Sequence, residues 1–314
     1  ANMTGSASNQ LRSAYVAEST AGTTPSSPSF KTTDVPILMN ATPSIYESKT
    51  LIAGGARGGV GVSGLDVSGT LSGTFIYGNY DLWLETLLQG AFATNVLKDA
   101  KTIKTLTVEN AIPAGVGGTL TMMRYRGVQA TGGSLTLSSD ADVQFSFDVQ
   151  GIGSDVGTTS AIGSSSYTNP TNKIPLTSGI DVGTIAYNGY TLNCMESSTI
   201  NFAYENRERQ TKLSSLDLCG ITRGAFVPTI TARMYVETNF LAIYNAARAN
   251  HTPFSVTYPL GSVGGKKYTI LFPTCTFTGG DLDFSGADAM QDISIMPQYS
   301  TSDACVLKVT RAVS

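Results

Sequence analysis

The chain has 314 residues, which is long for one domain and comfortable for two. Only 14% of them are charged, and a formal net charge of −3 argues against a basic surface built to grip nucleic acid. The 33 glycines, set among many Ser and Thr, suit strands joined by tight turns. Cys194, Cys219, Cys275 and Cys305 are far apart and form no C-x-x-C, so zinc and redox motifs are not expected. A reduced cytosolic protein is the plainer reading, and a disulfide stays open. ANMTGSASNQ has neither a basic region nor an apolar run, so no secretory signal is expected, and Ala1 fits removal of an initiator Met. No stretch approaches the ~20 apolar residues of a membrane helix, so no membrane insertion is expected.

Residues 1–45 read as a mostly irregular arm, rich in Ser, Thr and Pro over 18–36. The Gly-rich stretch 53–64 contains G-x-G-x-x-G at Gly59, Gly61 and Gly64. A dinucleotide site needs that motif to open a helix, whereas here it runs into a strand-like alternation, so a loop is expected. In NYDLWLETLLQG, the residues Tyr80, Trp83, Leu84, Leu87 and Leu88 share one helical face. Asn79 or Asp81 would cap its start, and Gly90 lies where it would stop. Strand-like segments follow to residue 150, and 151–172 reads as a linker of small residues.

The pattern then returns. Strands flank a polar loop, NRERQTKLSSLDLCG (206–220), and ETNFLAIYNAARAN places Phe240, Ile243, Tyr244 and Ala247 on one helical face. TGGSLTLSSDADVQFSFDVQ (131–150) and TGGDLDFSGADAMQDISIMPQ (278–298) open alike and alternate alike. The helices align with an offset of 160 residues and the Thr-Gly-Gly turns with one of 147. These features predict an internal duplication: arm 1–45, first unit 46–152, linker 153–185 and second unit 186–314.

Catalytic signals are sparse. The one histidine, His251, lies in a loop-like NHTP, and no G-x-S-x-G occurs. Asp281, Asp283, Ser285, Gly286 and Asp292 occupy EF-hand-like places, but their flanks read as strands where helices are required. A paired strand with polar residues facing water is the expected outcome there. Neither metal nor cofactor is expected.

Two segments carry a resemblance. AESTAGTTPSSPSFK (17–31) resembles the N-terminal arm of tailed-bacteriophage major tail tube proteins, in which Glu-Ser-Thr, Gly-Thr-Thr-Pro and Pro-x-Phe-Lys occur in this order. VSGTLSGTFIYGNYDLWLETLLQGAF (67–92) resembles the family's strand and the Tyr-x-x-Tyr-Asp start of its helix. NRERQ (206–210) is similar to an arginine-containing loop of the family, and the first copy has GARGG, with Arg57, in that place.

The resemblance implies a mainly β fold: two tandem β-sandwich or partial-barrel tube domains, each with one flanking helix. It also implies a non-enzymatic virion protein of the tail, assembled in the host cytoplasm. Six tube domains form a ring in such proteins, so two per chain would make a trimer with pseudo-sixfold symmetry. The implied partners are other copies of the chain, a tape-measure protein, a tail terminator, baseplate or tip proteins, and double-stranded DNA in transit. The arm, loop 53–64 (Arg57, Gly58, Gly59) and loop 205–218 (Arg207, Glu208, Arg209) are the expected contacts between rings or subunits. A trimeric β-rich binding protein and a β-sandwich hydrolase are the competing readings.

Overall fold

A computed structural model describes residues 5–50, 54–56, 58–187, 190–191, 194–249 and 251–314. The chain is mainly β, as its alternation predicts. It opens with β1 (Arg12–Ala17), β2 (Ser29–Thr32) and β3 (Leu38–Glu47), which turns back into β4 (Val60–Thr74). Helix α1 (Asp81–Leu88) follows, then β5 (Val96–Lys98), β6 (Leu106–Pro113), β7 (Leu120–Ser138) and β8 (Gln144–Gln150). The middle stretch carries β9 (Gly153–Ser154), β10 (Ser166–Thr168) and one helical turn, α2 (Ser178–Asp181). The second half begins with β11 (Ala186–Tyr187), β12 (Tyr190–Thr191), β13 (Met195–Phe202), β14 (Tyr204–Glu205), β15 (Arg209–Gln210), β16 (Gly220–Ile221) and β17 (Ala225–Phe226). It ends with β18 (Thr229–Tyr235), α3 (Phe240–Ala249), β19 (Phe254–Leu260), β20 (Tyr268–Asp283), β21 (Met290–Pro297) and β22 (Lys308–Arg311).

One antiparallel sheet runs through both halves. β3 pairs with β4, β4 with β8, β8 with β7, and the end of β7 with β13. β13 then pairs with β18, β18 with β21, and β21 with β20. The pairing order β3, β4, β8, β7, β6 in the first half has its counterpart in β13, β18, β21, β20, β19 in the second. Even the irregularity recurs. The β7/β8 register shifts between Ala130 and Gly132, and the β20/β21 register between Phe277 and Gly279, each at a Thr-Gly-Gly. A bulge there bends the strand, so β7 and β20 each leave an outer sheet and enter the shared one.

Alternation decides which face is buried. Val67, Leu71, Leu135, Phe145, Phe147 and Val149 of the first half point into the core. Ile200, Phe202, Ile230, Met234, Ile293 and Ile295 of the second half do the same. Side chains of successive strand residues point to opposite faces, so the residues between them line the other side of the sheet.

Helix α1 buries Tyr80, Trp83, Leu84, Leu87 and Leu88, the face that the spacing predicts. Its ends differ from expectation. Tyr80 is the N-cap and makes no side-chain cap. Asn79 instead donates to Asp34 and to the Asn172 carbonyl, and Asp81 holds Arg311. The helix stops at Gln89, in the left-handed region with φ 51°. Its side-chain amide donates to the Thr86 carbonyl and to Gln129, and its side-chain oxygen accepts the Lys104 amide. Those bonds offset the strain of a non-glycine residue there. Gly90 serves a different need: a Cβ on it would lie 2.4 Å from the Lys98 carbonyl oxygen.

The arm and the linker, though largely loop, carry strands that their composition hides. β1 pairs with β6 and β2, and β10 pairs parallel to β2. Tyr167, from the linker-like stretch, stacks on Phe30 with ring centroids 5.3 Å apart and donates to Glu109 at 2.6 Å. Fully buried Glu109 also holds Arg12 at 3.0 Å and Arg124 at 2.9 Å. Composition concealed this because Ser/Thr-rich segments gain order through backbone pairing and a few anchors, not through an apolar face of their own. The C-terminal strand closes the molecule: β22 pairs with β20 of its own half and with β5 of the first.

Candidate assembly surfaces

Among the described residues, the exposed face of the shared sheet is mainly Ser, Thr, Asn, Gln and Asp, with Leu38, Tyr235 and Met296 as its exposed apolar side chains on β3, β18 and β21. Strand register aligns Thr74, Gln144, Thr136, Thr199, Thr231 and Ser294 in one row across six strands. A neighbouring row holds Ser72, Ser146, Ser134, Asn201 and Thr229. Thr199 Oγ1 donates to Thr136 Oγ1 at 3.5 Å, a contact across the junction of the two halves. Each strand alone shows alternate Ser and Thr in the sequence. Only the pairing reveals that they join into a single surface.

Arg233 is the cation on the β18 part of this face, and it sits among carboxylates. It lies 3.3 Å from Glu196, 2.7 Å from Asp283 and 2.9 Å from Asp292. The EF-hand-like residues are therefore a paired-strand arrangement. Asp281 lies opposite Asp292 in the β20/β21 ladder, and Asp283 opposite Met290. The Ser285 hydroxyl and amide bond Asp283, and these bonds together with Arg233 hold its carboxyl well below the usual carboxylate range. Arg233 thus lies between two of the EF-hand-like carboxylates, Asp283 and Asp292. Among the described residues, no group of three or more His, Cys, Asp or Glu is arranged to hold an ion. His251 is exposed in a loop.

A second surface lies at one end of the sheet. β8 covers β4 only from Ser68 onward, so the stretch from Val60 to Asp66 pairs with β3 alone and projects as a two-stranded hairpin. Ile45, Tyr46, Val60 and Val62 on it are all more than half exposed. Near the tip, the Ser48 amide donates to the Gly59 carbonyl at 2.8 Å and the Gly58 amide to the Thr50 carbonyl at 3.1 Å. The G-x-G-x-x-G glycines are thus a hairpin tip and a strand, not a helix entry. Arg57 lies outside the described residues.

The loop 205–218 stands at the base of the same hairpin. Arg209 contacts Asp66 at 2.9 Å and donates to the Leu65 carbonyl, and the Leu65 amide donates to the Leu216 carbonyl at 3.2 Å. Arg207 turns inward. It donates to Gln129 at 2.8 Å and lies over the Tyr204 ring at 4.4 Å, and burial pulls its pKa below the usual arginine range. Tyr204 in turn donates to the Leu87 carbonyl at the end of α1. Both arginines therefore bind within their own chain, between its two halves, while Glu208 is exposed. The charges of this loop are legible in the sequence, and their intrachain partners, Gln129 and Asp66, are not.

Among the described residues, no helix is long and apolar enough to cross a membrane. A family model described as phage tail tube protein matches residues 8–297, nearly the whole chain. No curated protein matches the chain.

Proposed function

We propose, from the premise that the chain belongs to the phage tail tube protein family, that it is the repeating subunit of a hollow tail through which the genome leaves the virion. Two tube units, the first opening with β3 (Leu38–Glu47) ahead of the boundary that the sequence suggested at residue 46, the second covering 186–314, act as successive sixths of a ring, so three chains close it. The repeated pairing order and the repeated bulge support that division. Eight strands of each chain, β3, β4, β8, β7, β13, β18, β21 and β20 in sheet order, line the bore. Barrels of 16–18 strands already leave an aqueous channel, and three chains of eight strands would leave a wider one.

The observation that carries this reading is the polar face with its Thr/Gln/Ser row. Duplex DNA carries one negative charge per ~1.7 Å of axis, so a basic wall would hold it. Hydroxyl and amide groups hydrate well and offer no such grip. On the β18 part of the face, carboxylates neutralise Arg233. The apolar hairpin end, with its neighbouring loop 205–218, would seat on the next ring and stack the rings into a tube. A tape-measure protein, a terminator and tip proteins would meet the stack at its core and ends. Assembly would take place in the host cytoplasm.

Electron microscopy of concentrated protein, averaged in end-on views, tests the proposal. Hollow stacked rings of three chains with six similar lobes are expected. Rings of six whole chains would sink the equivalence of the halves. Discrete trimers that never stack would sink the tube and favour a binding protein.

A further inference from the structure

We propose that neighbouring chains join by pairing the free edge of β20, at Gly280–Asp283, with the free edge of β3, at Leu38–Ala41, of the next copy, in the register of the internal β7/β13 ladder. The proposal rests on the ring reading above and adds to it which edges meet and which residues lie opposite one another.

The chain contains a worked example of the junction. Inside it, Gly133 lies opposite Phe202, Ser134 opposite Asn201, Leu135 opposite Ile200, and Thr136 opposite Thr199. Counterparts can be read from the ladders. The row Gly132, Asp148, Thr70, Leu38 matches the row Gly279, Ser294, Thr231, Thr199. Leu38 therefore stands where Thr199 stands, and Asn40 where Asn201 stands. The Thr-Gly-Gly bulges place Gly280 at Gly133, Asp281 at Ser134, Leu282 at Leu135, and Asp283 at Thr136. The predicted ladder sets Gly280 against Ala41, Asp281 against Asn40, Leu282 against Met39, and Asp283 against Leu38.

Three observations mark these edges as unfinished. Among the described residues, no strand pairs with the outer side of β20 beyond Gly280, or with the outer side of β3. Second, exposure differs between counterparts. Leu137 is 4% exposed beneath the closed junction, whereas Phe284, at the matching position, is 70% exposed. Leu135 is buried, while Leu282 is only half-buried. Third, α1 is covered by Tyr204 and its neighbours from the following half, whereas α3 buries only Ile243. The second half thus lacks the neighbour that the first half has.

The edge of β3 also sets the length of the ladder. The Ile37 amide donates to Ser13 Oγ and its carbonyl accepts from Asn110 Nδ2, so Ile37 is already engaged within the chain. The Met39 carbonyl accepts from the Tyr125 hydroxyl, which leaves its amide for a partner. At the other end Pro43, on the same outward side, has no N–H to give. Pairing is confined to the few residues between, and Leu282 of one copy then meets the buried Met39 of the next.

A disulfide reads the register directly. Asp281 and Asn40 form a predicted non-hydrogen-bonded pair, whose Cα atoms lie about 4.5 Å apart, within disulfide reach. The variant Asp281→Cys/Asn40→Cys, made with Cys194→Ser and Cys219→Ser, should oxidise to covalent two-chain and three-chain species. Neither single cysteine should do so. Ser134→Cys/Asn201→Cys, the same pair inside the chain, should close without a change in size and serves as the control. Phe284→Glu should abolish rings while leaving the melting of the isolated chain unchanged, because that side chain is exposed there. Rings or tubes seen by microscopy without the 281–40 link would overturn the register and leave the tube reading standing. A chain that stays monomeric with both edges intact would overturn both. A link formed by Asp281→Cys alone would mean that like edges meet, and would overturn the junction.

Discussion

Arg209 holds Asp66 at 2.9 Å and at the same time donates to the Leu65 carbonyl, so a loop of the second half fixes the base of the hairpin in the first. Both side chains are about a third or more exposed, so solvent screens the ion pair. A double-mutant cycle on Arg209→Ala and Asp66→Ala should give a coupling of about 0.5–1 kcal/mol in thermal unfolding. Ring stacking should weaken more than chain stability does, because the pair orients a projecting hairpin. Equal loss in both measurements would remove that role.

Glu109 is the buried link between arm, body and linker. It is fully buried and accepts from Arg12, Arg124 and Tyr167. Glu109→Ala would leave Arg124 buried and unpaired, and should cost about 3–5 kcal/mol. Denaturant unfolding measures it directly. A loss below about 1 kcal/mol would mean that water replaces the carboxylate with ease.

High pH should unfold the chain through its buried phenols. Tyr187 and Tyr258 share a hydroxyl contact of 2.7 Å, and Ser198 completes the chain at 2.8 Å. Burial pushes Tyr187 up to about 12, and the same cause, joined by Asp34, takes Tyr80 up to about 12. The folded state thus keeps a proton that the unfolded state releases near 10. This stability is complete below about pH 10 and disappears as pH rises towards 12. Absorbance of phenolate should therefore rise together with the loss of near-ultraviolet dichroism. Ionisation of all tyrosines well before unfolding would contradict this.

Cysteine reactivity should divide the four thiols in two. Cys194 and Cys219 are exposed, and Cys275 and Cys305 are buried. Burial pushes the Cys275 thiol up to about 12, so little thiolate forms near neutral pH. A thiol reagent should label the first two quickly and the others only on unfolding. Fast labelling of Cys275 in the native chain would show that its surroundings open.

Charge on the Thr/Gln/Ser row should turn a passage into a trap. Thr199→Lys/Thr231→Lys, two exposed-face substitutions on adjacent strands, should leave tubes intact but make them retain duplex DNA at low salt. Retention should fall steeply as salt rises, since the grip would come from released counterions. Co-sedimentation measures it. Equal DNA retention by the parent and the variant would show that this face does not line the bore.

The sequence by itself determined the local structure. Period-2 alternation marks the strands, and the spacing of Tyr80, Trp83, Leu84, Leu87 and Leu88 marks a helix face that is indeed buried. These signals are local because a strand or helix chooses its buried side residue by residue. The helix stop at Gln89 was not legible, since the side-chain bonds that offset its φ come from residues as distant as Gln129. The strands hidden in the arm and the linker needed partners such as Glu109 and Phe30, far away along the chain. The same holds for Arg207 and Arg209, whose charge was visible but whose partners were not. Tertiary structure alone decided that Thr136 and Thr199 lie side by side, and that Leu137 is covered while Phe284 is open. Strand pairing is non-local: a backbone edge accepts many partners, and only the whole sheet determines which one it receives.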